Sequence, residues 1–222
     1  MEGKLRGIAF IGGESPCPEA LRKIAEGADI LAAADSGLVA CEGAGLRPDW
    51  VLGDMDSLDD PGRLEKYSPE RVRRYPCDKD FTDTELALAL LEENGCDEIW
   101  LAGGGGGRTD HLFAIRSLFE RNDPPDRWFP GSGASEGGEE IRCLKEGKIL
   151  STTLPPESLV SVFPLGAGPW EAESSGLKWP LNGLSWERGF FGVSNVALNG
   201  PFEIRSFRGR FMVIMPMVFG TV

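Results

Sequence analysis

Along the first 120 or so residues, short apolar runs alternate with stretches of helical spacing. Residues 8–11 are wholly apolar and end in Gly12-Gly13, a strand running into a turn. Residues 18–26 then read as a helix, with Pro18 at its start and Gly27 near its end. A second strand at 29–34 stops at Asp35-Ser36-Gly37, and a short helix follows at 38–43. A third strand at 50–52 enters Gly53-Asp54-Met55-Asp56-Ser57, and a fourth at 72–74 precedes an acidic run that begins at Asp78. Thr82-Asp83-Thr84-Glu85 fits the S/T-x-x-E capping box, with Leu86, Leu90 and Leu91 behind it and Gly95 as its end. Residues 98–102 give a fifth strand and the glycine run 103–107 a turn, after which Thr109 caps a helix whose Leu112, Ile115, Leu118 and Phe119 recur at helical spacing. Strand, turn and helix repeated in this way predict an α/β fold, a Rossmann-like parallel sheet wrapped by helices.

Beyond Asn122-Asp123-Pro124-Pro125 the pattern changes. Runs of β-prone residues at 126–129, 141–144, 148–153, 159–164, 168–174 and 202–216 are divided by Gly, Pro and Ser, and none reads as a helix. The expected organisation is an α/β domain over 1–125 followed by an all-β sandwich domain over 126–222. Residues 131–140, glycine-rich and acidic, read as a loop without an assigned role.

Composition narrows the chemistry. No apolar run approaches the roughly 18 residues that span a bilayer, and residues 1–15 hold no apolar core with a small-residue cleavage site. A cytoplasmic protein without a membrane partner is expected. The five cysteines form no C-x-x-C pair and read as reduced, mostly structural thiols. A single histidine, His111, leaves no multi-histidine zinc site, and there is no G-x-S-x-G elbow. The net charge of −12 is uneven, with −11 on residues 1–125 and −1 on 126–222. Such a first half repels nucleic acid, whose binding rests on neutralising Lys and Arg, and it meets phosphates only through a divalent cation.

In open parallel sheets, ligands bind beyond the carboxyl ends of the strands, and the acids collect there. Asp35 follows the second strand, Asp54 and Asp56 the third, Asp78, Asp80 and Asp83 the fourth, and Asp110 the fifth. A cluster of this kind either spreads around a wet rim or holds a hard cation through oxygen ligands. The spacing of Asp54 and Asp56 suits the second option, since two residues of extended chain put both side chains on one side. A solvated Asp-rich turn with Ser57 as a helix cap is the other reading of that segment. Acids at a helix start account for Asp83 and Glu85 through the helix dipole, but not for Asp78, Asp80 and the interposed Lys79. The glycine run leads into Arg108-Thr109-Asp110, where free helix N–H groups and a guanidinium can hold a phosphate. It is neither a P-loop nor a dinucleotide fingerprint.

Taken in order, Ala34-Asp35-Ser36-Gly37, Pro48-Asp49 with Gly53-Asp54-Met55-Asp56-Ser57, residues 78–85, Gly107-Arg108-Thr109-Asp110-His111, residues 176–181 and Ser194-Asn195 resemble the thiamin pyrophosphokinase family. Each motif alone is weak, whereas six in this order are specific. The resemblance implies a homodimer that moves a pyrophosphoryl group from ATP to the hydroxyl of thiamin, releasing AMP. It implies Mg2+ on Asp54, Asp56 and Asp83, and Asp35, Lys79, Thr82, Arg108 and Asp110 around the nucleotide. Trp179, Ser194 and Asn195 would meet thiamin, Trp179 by stacking on the aromatic cation. Asp80 and Asp110 are the two candidate acceptors of the hydroxyl proton, and sequence does not choose between them. The family often has an acid after the Ser-Asn pair, and Val196 stands there instead. The readings that compete are a pyrophosphokinase for another alcohol, such as a hydroxymethyl pterin, and a non-catalytic thiamin or nucleotide sensor on the same fold.

Overall fold

A computed structural model describes residues 4–56, 58, 60–131 and 138–219. The chain divides into two compact units, Met1–Ile115 with Arg127–Ser132, and Arg116–Asp126 with Gly133–Val222.

The first unit is built on six parallel strands: β1 (Arg6–Ile11), β2 (Ile30–Ala34), β3 (Trp50–Gly53), β4 (Val72–Arg74), β5 (Glu98–Gly103) and β6 (Arg127–Phe129). Their order is β6-β5-β1-β2-β3-β4. Helices α1 (Pro18–Ala25), α2 (Gly37–Gly43), α3 (Asp83–Glu93) and α4 (Thr109–Leu118) follow β1, β2, β4 and β5, while two 3-10 helices, Pro61–Lys66 and Pro69–Arg71, join β3 to β4. Only the first residue of β1 and of β5 reaches solvent, as expected of parallel strands covered on both faces. The chain grows outward from β1 to β4 and then returns to β1's other side with β5, so the strand order reverses between β1 and β5. In such sheets that reversal opens a crevice at the carboxyl ends.

The second half of the reading needs three corrections. Residues 127–129, read with the all-β half, pair in parallel with β5 as β6; a three-residue run carries no sign of its partner's direction. The single run at 202–216 is a hairpin of β12 (Pro201–Arg208) and β13 (Arg210–Pro216), divided at Gly209. An additional strand, β11 (Gly192–Val196), pairs with β9 (Leu159–Leu165) through a register shift between Gly192 and Asn195. The irregularity hid it, because a bulged edge strand loses the period-2 pattern.

The remaining strands are β7 (Glu139–Leu144), β8 (Ile149–Thr153) and β10 (Glu171–Ser175). They form two antiparallel sets, β11-β9-β13-β7 and β10-β12-β8. Strand β12 alternates exposed and buried positions from Pro201 to Ser206, the period of a half-buried strand. Its Phe202 and Ile204 join Val160 and Val162 of β9 and Phe211 and Val213 of β13 in one buried cluster. Among the described residues no helix follows α4, and none is long and apolar enough to cross a membrane. Of the glycine-rich stretch 131–140, residues 132–137 lie outside the described residues, as does Ser57, while Glu139 and Glu140 already belong to β7.

Candidate active site

The carboxylates are positioned by backbone geometry at the ends of β2 and β3. Asp35, directly after β2, adopts φ +47 and donates its N–H to Leu52 O at 3.0 Å. Its Oδ1 accepts the N–H of Met55 at 3.2 Å, which ties the β2 turn to the β3 turn. Gly53 has φ +134, and a Cβ there would lie 1.8 Å from Asp35 Oδ1. Only glycine fits that approach. Asp54 Oδ1 then accepts the N–H of Asp56 at 3.1 Å. Beyond them, Asp60 caps the short 3-10 helix Pro61–Lys66 by accepting the Gly62 N–H at 2.9 Å. Glu42 at the end of α2 holds that segment through Arg63 and through the Tyr67 hydroxyl, at 3.1 Å.

The start of α3 supplies the other half of the cluster. The capping box is formed in full: Thr82 Oγ1 accepts the Glu85 N–H at 3.3 Å, and Glu85 Oε2 accepts the Thr82 N–H at 2.8 Å. This fixes Asp83 at the first helical position and Lys79 one turn before it. Lys79 Nζ, largely buried, lies 3.6 Å from Asp54 Oδ2 and 3.2 Å from Asp83 Oδ1. Asp83 Oδ1 is itself buried, with the Lys79 ammonium at 3.2 Å and the Asp35 carboxyl as its neighbours.

Asp35, Asp54, Asp56, Lys79 and Asp83 are thus one connected group, and so is a residue that the sequence did not single out. The ligand atoms of Asp54, Asp56 and Cys77 all lie within 4.8 Å of one another, and the Cys77 thiol hydrogen-bonds to Asp54. A lone cysteine between Pro76 and Asp78 carries no sequence signal for such a place. Hard carboxylate oxygens converging from separate loops fit a hard divalent cation such as Mg2+.

The protonation pattern follows from crowding. Burial, then the hydrogen bond and charge of Asp83, push Asp35 up to about 7, against the pull of the Met55 N–H. The Asp56 N–H, helped by the Cys77 thiol and Lys79, holds Asp54 below the usual carboxylate range. Hydrogen bonding to Asp54 and its negative charge raise Asp56, and the same neighbour raises the Cys77 thiol. Burial alone would depress Lys79, but Asp83, Asp54 and Asp35 outweigh it and raise its pKa.

A pH dependence of stability follows. The folded protein keeps a proton on Asp35 up to about 7, whereas the unfolded chain releases it near 3.8. The stability this group contributes is therefore complete below the unfolded value and is lost as the pH rises through the folded one. In metal-free protein the urea midpoint should fall across that interval, and Asp35→Asn should remove this component. An identical pH profile in wild type and variant would contradict the assignment.

At the reversal of strand order, the glycine run is braced by the loop after β1. Glu14 and Gly105 exchange both backbone hydrogen bonds, at 2.7 and 3.0 Å. A Cβ on Gly103, whose φ is +106, would lie 2.3 Å from Ile11 O. Arg108 and Asp110 form an exposed pair of their own at the start of α4, Nε to Oδ1 at 3.1 Å and Nη2 to Oδ2 at 2.6 Å. The hydrogen bonds and charge of Arg108 hold Asp110 below its ordinary pKa. Asp80 is exposed.

In the second unit, Asn195 is only 7% exposed and acts as a clamp on backbone. Its Oδ1 accepts the N–H groups of Trp179 and Val196 at 3.1 and 2.8 Å, and its Nδ2 donates to Trp179 O at 2.6 Å. The Trp179 indole itself is 54% exposed, with Lys178 Nζ 4.7 Å from a ring centroid. Ser194 is exposed at φ +58, its N–H donated to Ser161 Oγ at 3.2 Å.

Comparison with known proteins supplies the context for this geometry. The family model described as "Thiamin pyrophosphokinase, catalytic domain" matches residues 21–124. The thiamine pyrophosphokinase of Bacillus subtilis (strain 168) is 39% identical over 159 residues, 67% of this chain and 68% of that protein. A crystal structure of thiamine pyrophosphokinase from Bacillus subtilis superposes with a TM-score of 0.76 at 24% identity, covering 97% of this chain and 100% of the other. That of thiamin pyrophosphokinase from Geobacillus thermodenitrificans gives 0.71 at 25% identity, with 97% and 100% covered. The mixed α/β fold and these relatives define the class, a transferase of the kinase type. Within it, the chain belongs to the thiamin pyrophosphokinase family.

Proposed function

We propose that the protein transfers a pyrophosphoryl group from ATP to the hydroxyl of thiamin, giving thiamin diphosphate and AMP, and works as a cytoplasmic homodimer. The observation that carries the site assignment is the connected group Asp35, Asp54, Asp56, Lys79 and Asp83 at the strand ends of a chain from this family. The catalytic half is the Rossmann-like unit, expected over residues 1–125 and here extended by β6, and the thiamin-binding half is the β-sandwich made by the strands that follow β6.

Asp54, Asp56 and Asp83 would hold magnesium, which would supply positive charge to neutralise that developing on the transferred group. Lys79, fixed between Asp54 and Asp83, keeps the carboxylates together and offers its charge to the phosphates. Asp35 orients the metal-binding turn through the Met55 N–H rather than meeting the nucleotide directly, and Thr82 sets the register of α3. Arg108, exposed beside the glycine run, turns its planar fork to a phosphate. Asp110 then loses the partner that holds its pKa down and becomes the better proton acceptor for the thiamin hydroxyl; Asp80 remains the alternative base. On the other half, the exposed Trp179 ring takes the flat thiamin cation, and Ser194 and Asn195 shape that pocket, Asn195 by clamping the Trp179 backbone.

Purified protein incubated with ATP, Mg2+ and thiamin should yield thiamin diphosphate and AMP by mass spectrometry. Thiamin monophosphate with ADP would contradict the reaction class. Turnover of a hydroxymethyl pterin in preference to thiamin would contradict the acceptor.

A further inference from the structure

One large apolar side chain at the site has no part in the reading above. Phe81 is 57% exposed, yet it does not sit on a slack loop. Two residues before it, Lys79 is pinned between Asp54 and Asp83. Directly after it, Thr82 is tied through its N–H and its hydroxyl to Glu85 in the capping box. The phenyl group is therefore presented to solvent from a rigid mount. Its neighbours Asp78 and Asp80 are exposed carboxylates, which offer it no apolar cover. The Cα atoms of Lys79 and Asp83 are each two peptide steps away, no more than about 7.6 Å. The backbone of Phe81 thus sits beside the proposed phosphate grip, with its ring left open to solvent.

We infer that Phe81 is the stacking platform for the purine base of the nucleotide donor, and so a specificity-determining residue on the donor side of the reaction. The inference rests on the site reading above. It favours the base of the donor over the ring of the acceptor for two reasons. Lys79 and Asp83, which flank Phe81, belong to the proposed phosphate grip, so the neighbouring ligand surface is the donor's. In an in-line transfer the attacking alcohol and the departing nucleotide lie on opposite sides of the transferred phosphorus, and the acceptor ring already has Trp179 as its aromatic partner. A phenyl face stacks on any base, which gives affinity for a nucleotide over a bare polyphosphate.

The test is equilibrium dialysis of ATP with Mg2+ present, which does not depend on turnover. Phe81→Ala should weaken ATP about tenfold, the scale of losing one base stack, and Phe81→Tyr should restore near wild-type affinity. Inorganic tripolyphosphate, which has the phosphates without the base, should compete equally well against wild type and Phe81→Ala. In steady-state assays KM for ATP should rise while kcat and KM for thiamin stay close to wild type. Unchanged ATP affinity in Phe81→Ala would overturn the inference. So would a parallel loss for tripolyphosphate, which marks a disturbed phosphate grip, or a rise in KM for thiamin alone, which marks an acceptor platform. A shift of Phe81→Ala to a smaller species by light scattering, with ATP affinity intact, would overturn it in favour of a subunit contact. Failure of the underlying reading looks different, since wild-type protein would then form no AMP from ATP and thiamin.

Discussion

Asp54→Asn is expected to lower turnover by at least about 100-fold, the scale of removing one strong electrostatic contact from a transition state. The substitution is close to isosteric, and the amide oxygen can still accept the Asp56 N–H that closes the turn. What changes is charge. The site loses one anionic ligand and Lys79 loses the partner at 3.6 Å, so the cluster grips a cation less well while the fold persists. Far-UV circular dichroism and the thermal midpoint should therefore stay near wild type as activity collapses. Turnover that survives the change would mean that Asp54 is not a metal ligand.

Gly53→Ala should damage both stability and chemistry. At φ +134 a side chain is strained whatever the space, and here its Cβ would fall 1.8 Å from Asp35 Oδ1. Either the backbone leaves this conformation, at a cost of about 1–3 kcal/mol, or Asp35 swings away and releases the Met55 N–H. In both cases the turn carrying Asp54 and Asp56 shifts. A displacement on the order of 1 Å at a positioning element can cost about 100-fold in rate. A urea titration gives the stability loss, and the thiamin diphosphate assay gives the rate. A variant as stable and active as wild type would show that the Asp35 contact does not position the site.

The catalytic half was legible in sequence because local rules agree there with tertiary ones. Apolar runs ending in glycine or aspartate mark strands whose carboxyl ends must share one edge. The Thr82-Asp83-Thr84-Glu85 box forms as its spacing requires. Asp54 and Asp56 are joined within one short turn, as their separation by a single residue suggests. What could not be read depends on partners distant in the chain. The hold of Asp35 on Met55 spans 20 residues, and Cys77 meets Asp54 only once β3 and the turn after β4 lie side by side. Asn195 illustrates the same limit. Its motif suggests a ligand contact, while its hydrogen bonds serve the backbone of Trp179, 16 residues earlier. Strand β11 itself was hidden by the left-handed Ser194 and the register shift beside it. The direction of β6 was unreadable for a simpler reason, since three residues fix neither partner nor sense.

Central to the proposed mechanism is that carboxylates from two segments, the turn after β3 and the start of α3, hold a divalent cation that in turn holds the triphosphate. Measuring ATP affinity by calorimetry while magnesium is titrated, on wild type and on Asp54→Asn, tests it most directly. The account predicts that ATP binds wild type tightly only when magnesium is present and that the variant loses most of this magnesium-dependent gain. Equal ATP affinity with magnesium and with a chelator, or an undiminished magnesium response in Asp54→Asn, would contradict it.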